Sequence, residues 1–315
     1  MDLGSFFALK KQNLVLLLLL GLLVVGSAYG DANILVLQSH DSLPYQQTLE
    51  GFKAGLSGHG VHADYQVHIV SNDAEAQALW PLIKNNPPQL ILTLGTPATR
   101  ATLAREQSIP VVAGLVLDID ELKKSPNATG IGLNFSAAAQ WLWLRRLLPE
   151  ARQIVLIYDP RHASALMQAL QQLARADGVT LIPAPASTPD DLAALMQNLP
   201  EQLDVLWAVD CASAFNPAGI RELLLYSFRN RTPLIGMSAQ WVKAGAYYAL
   251  DWDYTDLGAQ SAELAWDILQ KKLIPAALPI HEPRKVRPVL NSKTAEHMKL
   301  QVSDHWLPEL GEIFQ

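Results

Sequence analysis

Cysteine is nearly absent. Cys211 is the one cysteine in 315 residues, so no internal disulfide forms and stability has to come from a packed core, which excludes a small disulfide scaffold. Basic charge is also short. Lysine and arginine number 24 against 30 acidic residues, a formal net charge of −6, which argues against a nucleic-acid surface or a polybasic membrane patch. Charged residues are 17% of the chain and hydrophobic ones 50%. No charge run is long enough for a disordered tail, and the apolar content fills one large domain or two ordinary ones.

Reactive constellations are missing as well. There is no GxGxxG and no GxxxxGK[ST], and no cofactor or metal is expected. Gly236-Met237-Ser238-Ala239-Gln240 is half of a nucleophile elbow, with Gln240 where the closing glycine belongs. His59 and His62 lie in a glycine-broken turn without an acidic or thiol partner nearby, so they read as a solvated turn rather than a ligand pair. Asp251 to Asp256 starts like a calcium loop but lacks glycine at its sixth position and has Ala262 at its twelfth. Cys211 reads as a small filler at a strand end.

The amino terminus has the pattern of a secretory signal peptide. Lys10 and Lys11 precede an apolar run from Leu14 to Val25, followed by Gly26-Ser27-Ala28-Tyr29-Gly30. The run falls short of the roughly 20 residues that a spanning helix needs. A signal peptide of residues 1–30 is therefore expected to be removed, by cleavage after Gly30 or after Ala28, leaving a mature chain that begins at Asp31 or Tyr29. An uncleaved membrane anchor is the alternative.

From Asn33 onward short apolar runs alternate with helical stripes. The centre of the pattern is Gln89 to Ala104, where Leu90 to Leu94 reads as a buried strand. Gly95 breaks it, Thr96 is expected to cap a helix, and Pro97 is preset for the first turn. Such a turn offers backbone N–H groups to an anion. The alternation restarts after Asn134 with strands at 154–158, 179–182, 203–209 and 234–237. It predicts two doubly wound α/β domains with parallel sheets. Ligands of open parallel sheets sit beyond the carboxyl ends of the strands. Those ends carry Ser39-His40, Gly95-Thr96, Gly114, Tyr158-Asp159, Asp210 and Ser238.

Several stretches together resemble the ABC-transporter substrate-binding proteins of the tryptophan-binding-protein-like group. They are Glu50 to Leu56 (EGFKAGL), Gly95 to Ala98 (GTPA), Thr129-Gly130-Ile131, Leu148 to Ala151, Thr232 to Gly236, Asp256-Leu257-Gly258 and Pro283 to Asn291 (PRKVRPVLN). The resemblance implies a type I periplasmic-binding-protein fold and no enzymatic activity. It implies a first domain of residues 31–134 plus about 253–283, and a second of 135–252 plus about 284–315. Hinges are expected near Asn134, Trp252 and Pro283. The implied function is capture of a small polar or amphipathic ligand, an amino acid or related compound, by a monomer in the periplasm or outside the cell. A membrane permease or a membrane sensor would receive it. An exported hydrolase using Ser238 or Cys211 is the alternative.

The expected ligand-binding residues are Ser39, Gly95, Thr96, Ala98 and Thr99 from the first domain, and Tyr158, Asp210 and Ser238 from the second. The turn at Thr96–Thr99 is expected to hold an anionic group, Asp210 a cationic one, and Tyr158 to join an apolar wall.

Overall fold

The structure is a computed structural model that describes residues 32–117, 119–209 and 212–315. The basic, apolar and small-residue segment at the amino terminus lies outside the described residues, as do Asp210 and Cys211.

Five parallel strands form the first sheet: β1 (Ala32–Gln38), β2 (Ala63–Ile69), β3 (Leu90–Leu94), β4 (Val111–Val116) and β5 (Ala128–Gly132). Their order is β2-β1-β3-β4-β5. Strands β3, β4 and β5 are buried at every residue, as expected when helices cover both faces of a parallel sheet. Alternate residues of β1 feed opposite layers. Ile34 and Val36 pack with Phe52, Leu56 and Leu257, while Leu35 and Leu37 pack with Trp80, Ile83 and Ala98. The helices linking these strands are α1 (Leu43–Gly58), α2 (Asp73–Asn85), α3 (Thr96–Leu103) and α4 (Asp120–Lys124).

The second sheet contains β6 (Gln153–Tyr158), β7 (Thr180–Pro185), β8 (Val205–Val209), β9 (Leu234–Gly236), β10 (Tyr248–Trp252), β11 (Val286–Asn291) and β12 (Ile313–Phe314). Its order is β12-β11-β10-β9-β8-β6-β7. Pairing is parallel except between β10 and β11. The run β7-β6-β8-β9-β10 repeats the order of the first sheet, so the chain has two lobes of one topology. Helices α5 (Ala137–Leu147), α6 (Pro160–Ala176), α7 (Pro189–Gln197), α8 (Pro217–Asn230), α9 (Ala239–Lys243) and α11 (Ser292–Met298) accompany this sheet.

Helix α10 (Tyr254–Lys271) follows a second-lobe strand but packs on α1 of the first lobe. Glycines make that approach possible. A Cβ on Gly258 would lie 2.0 Å from the Thr48 carbonyl oxygen, and one on Gly51 2.0 Å from that of Thr255. After α10 the chain stays with the first lobe, where His281 N–H donates to the Gly130 carbonyl at 3.0 Å. It then returns to the second sheet as β11.

The chain therefore passes between the sheets after β5, after β10 and before β11. The last two passages are tied together. Arg284 bonds Asp256 at 2.9 Å and Glu263 at 2.8 Å, Lys285 bonds Asp256 at 3.0 Å, and Arg287 bonds Asp253 at 3.1 Å.

Candidate functional site

In each lobe the chain leaves the first strand toward one edge of the sheet and later returns on that strand's other side. The crevice at such a reversal, beyond the carboxyl ends, is the preferred ligand position in open α/β sheets. It lies between β1 and β3 in the first lobe and between β6 and β8 in the second.

Ser39 follows β1 directly and is fully buried. Its Oγ accepts a hydrogen bond from the Ala98 N–H in α3 at 3.0 Å. Burial pushes the Tyr45 phenol up, and its hydrogen bond with Ser39 offsets only part of that. Gly95 turns the chain between β3 and α3 with φ of +94°. A Cβ there would lie 2.6 Å from Ser39 Oγ and 2.7 Å from the Tyr45 hydroxyl oxygen, so glycine is required on both counts.

Because Gly95 itself makes the turn, the helix cap falls on Gly95, one residue earlier than expected. Thr96 opens the helix, and its Oγ1 accepts from the Leu117 N–H at 3.2 Å. Two of the donors expected for an anion are engaged inside the turn. Ala98 N–H bonds Ser39, and Thr99 N–H bonds the Gly95 carbonyl at 3.1 Å. Thr99 Oγ1 faces inward to Thr93 Oγ1 at 2.9 Å. Of these residues, Ser39, Gly95, Ala98 and Thr99 are buried and Thr96 is half-buried.

The second-lobe crevice is charged. Asp159 follows β6 directly, is fully buried and caps α6. Its carboxylate accepts from Arg161 Nε at 3.0 Å and from Arg161 Nη2. The Ser187 hydroxyl beyond β7 donates to it at 2.9 Å, and the Ser213 hydroxyl beyond β8 at 2.8 Å. The Arg161 guanidinium, helped by these hydroxyls, holds the Asp159 carboxyl far below the usual carboxylate range. Tyr158 is half-buried against the second-lobe core. Ser238 precedes α9, half-buried, and its hydroxyl makes no capping bond.

The passages between lobes bring the strand ends together through aromatic rings. Phe135, beyond β5, stacks on Trp252 at the end of β10, with centroids 4.5 Å apart and planes 8° from parallel. Tyr254 donates to Asp251 Oδ1 at 2.8 Å. Burial pushes both of these groups up. Among the described residues, Trp252 Nε1 and, at the end of β1, Gln38 Oε1 are buried and make no hydrogen bond.

Ser39 and the Gly95–Thr99 turn are thus one constellation, while Tyr158 and Ser238 stand on separate strand ends of the other lobe. Sequence reasoning missed Tyr45, Arg161 and the Phe135–Trp252 stack. The signal for Arg161 was its place two residues after a strand-end aspartate, in Asp159-Pro160-Arg161. Among the described residues no group of three or more His, Cys, Asp or Glu could hold a metal, and no helix is long and apolar enough to cross a membrane.

Comparison with known proteins gives a consistent picture. Residues 31–313 match the family described as ABC transporter substrate binding protein. A "Tyrosine-binding protein" of Clostridioides difficile (strain R20291) is 22% identical over 279 residues, covering 84% of this chain and 79% of that relative. The ligand-free, open structure of a substrate binding protein with adhesive properties from Clostridium difficile is similar with a TM-score of 0.72. It is 18% identical and covers 90% of this chain and 99% of that one. An ABC domain in complex with L-Trp from Streptococcus pneumonia has a TM-score of 0.58 and 19% identity, covering 90% of this chain and all of that one (100%).

Proposed function

We propose, from the premise that this chain belongs to the ABC transporter substrate binding protein family, that it is an exported receptor for an amino acid with an aromatic side chain. The ligand sits between the two lobes, and the loaded protein delivers it to a membrane permease. The observation that carries this reading is the presence of two equivalent strand-end crevices, one in each lobe, with a ring stack on the passages that join the lobes. Ser39 and Asp159 line the crevices, and Phe135 on Trp252 forms the stack.

The chemistry fits a zwitterion that carries a ring. Thr96 and Ser238 are half-buried polar groups at strand ends of opposite lobes, and with Ser39, Gly95, Ala98 and Thr99 they shape the polar part of the site. Asp210, beyond β8, takes the ammonium group. Tyr158, Phe135 and Trp252 form the apolar wall, where offset or edge-on ring contacts contribute about 0.5–1.5 kcal/mol beyond burial. Support for an amino acid over other small ligands also comes from the tyrosine-binding relative and the L-Trp complex.

Thermal melting with L-tyrosine, L-tryptophan, L-phenylalanine and a set of sugars and organic acids tests this. A ligand present at 100 times its dissociation constant stabilises the native state by about 2.7 kcal/mol. The reading requires that shift for at least one aromatic amino acid. A shift with a sugar alone, or turnover of an ester by the purified protein, refutes it.

A further inference from the structure

We infer that Arg161 is a specificity-determining residue that holds the ligand's carboxylate from the second lobe. The inference rests on the amino-acid reading above and names the group that reads the acid end of the ligand.

Three observations carry it. The first is position. The guanidinium lies across the carboxyl ends of β6, β7 and β8. Nη2 donates to the Ser187 carbonyl at 3.2 Å and to Ser213 Oγ at 2.9 Å, while Nε and Nη2 face Asp159. That places it over the crevice between β6 and β8, where open α/β sheets take their ligands. The second is an open edge. Every bond described for the group uses Nε or Nη2, and Nη1 makes no hydrogen bond among the described residues. The side chain is 56% exposed although its partner Asp159 is 0% exposed. A guanidinium presents five N–H donors in a rigid fork suited to carboxylates.

The third observation is rigidity. Asp159, Ser187 and Ser213 fix the plane of the guanidinium, so little rotamer freedom remains to be lost when an anion arrives. In the first lobe the N–H groups of Ala98 and Thr99 are engaged within their own turn. Asp159 is ionised and bonded on both oxygens, so it balances the guanidinium charge without covering Nη1. Asp191 adds a weaker negative charge near Arg161, and its own oxygen is held by the N–H groups of Ser187 and Thr188 at 3.0 and 2.9 Å.

The rival account makes Arg161 a clip that only joins three loops. The two accounts differ in what Arg161→Gln does to ligand preference. Calorimetry on the mature protein compares L-tyrosine with tyramine and L-tryptophan with tryptamine, pairs that differ by the carboxylate alone. The parent favours the amino acid of a pair. In Arg161→Gln that preference shrinks by roughly ten- to a hundredfold, as for loss of a charged hydrogen bond, and taking the ratio within each pair cancels whatever the unpaired Asp159 charge does to the shared ammonium. Arg161→Lys keeps the charge against Asp159 without the fork and falls in between. Circular dichroism and the ligand-free melting point establish that both variants are folded. If folded Arg161→Gln and Arg161→Lys keep the parent's preference, Arg161 is only a clip and the inference is overturned. If the parent binds none of the four probes, the amino-acid reading itself fails, and the assignment falls with it.

Discussion

Ser39 and Asp159 occupy the same place in the two lobes. Each is the first residue beyond the strand at which the sheet order reverses, and each is 0% exposed. Each reaches past its own strand to the next loop, Ser39 to the Ala98 N–H and Asp159 to the Ser213 hydroxyl. Buried polar groups are costly unless paired, and both of these are. The difference lies in what they recruit. A neutral serine braces a glycine turn. An aspartate recruits Arg161 and two hydroxyls, so one topology yields a neutral strand end in one lobe and a charged one in the other.

Ser39→Ala should destabilise the first lobe. It removes the acceptor of the Ala98 N–H, and Ala98 is fully buried, so the cost is about 1–3 kcal/mol in urea unfolding. Gly95→Ala should cost more, because the new Cβ meets Ser39 Oγ at 2.6 Å and keeps a φ of +94° that alanine resists. The double variant Ser39→Ala with Gly95→Ala should recover only part of the loss, since removing the hydroxyl leaves φ unchanged. A Gly95→Ala midpoint equal to the parent's would show that the turn is looser than described.

Asp256 predicts an acid dependence. Its carboxyl is pushed up by burial but pulled down further by Arg284 and Lys285, and the net direction is down. A depressed carboxyl contributes stability that is present above its unfolded value, about 3.9, and is lost as pH falls through the folded value. Arg284 and Lys285 are 43% and 60% exposed, so solvent screens the pair and Asp256→Asn should cost no more than about 1 kcal/mol at neutral pH. The gap between parent and variant should hold from pH 8 to 5 and close under acid conditions. A gap that widens as pH falls would contradict this sign.

The alternation of strands and helices was legible because parallel strands covered on both faces are continuous apolar runs, as in Leu90–Leu94 and Val205–Val209. The motifs Glu50 to Leu56, Asp256-Leu257-Gly258 and Pro283 to Asn291 were legible as strings, but their reason was not. It is a contact between elements some 200 residues apart, in which Gly51 and Gly258 let α1 meet α10 and Arg284 clasps Asp256. Arg161 escaped notice for the same reason. Its partners Ser187 and Ser213 come from two other loops, and local spacing carries no trace of them. Thr96 was misread as a cap because both Gly95 and Thr96 suit that role, and only the backbone shows which one turns.

Gly258→Ala tests the helix contact directly. The Cβ would fall 2.0 Å from the Thr48 carbonyl oxygen and 2.7 Å from the Phe52 nitrogen, both backbone atoms that move only if the helices part. Overpacking of this kind costs about 1–3 kcal/mol or more. The expected result is a lowered urea midpoint. Gly58→Ala on the exposed end of α1 meets nothing within 4 Å and serves as the control. Equal behaviour of the two variants would mean the interface has slack.

Phe135 and Trp252 stand on two different passages between the lobes, so their stack is the place where a change in lobe angle has to register. Proteins built from two lobes around a ligand close by rotation about a few connecting residues. Asp253 caps α10, and Arg284, Lys285 and Arg287 fasten the third passage to that helix and its cap. Trp252 and Asp251 remain paired with Val286 and Arg287 in the second sheet, so rotation is expected where these strand ends meet the tied segment and on the first passage beside Phe135, and Trp252 stands at the edge of that region. With a bound aromatic amino acid the radius of gyration should fall and tryptophan emission should change. Trp252→Phe should keep the compaction and lose most of the emission change, although seven other tryptophans remain of the eight in the chain. Trp252→Ala removes the stack and should weaken binding by roughly three- to tenfold, in keeping with about 0.5–1.5 kcal/mol for an aromatic pair. Scattering curves that coincide with and without saturating ligand would show that the lobes do not move. An emission change fully retained in Trp252→Phe would place the moving ring elsewhere.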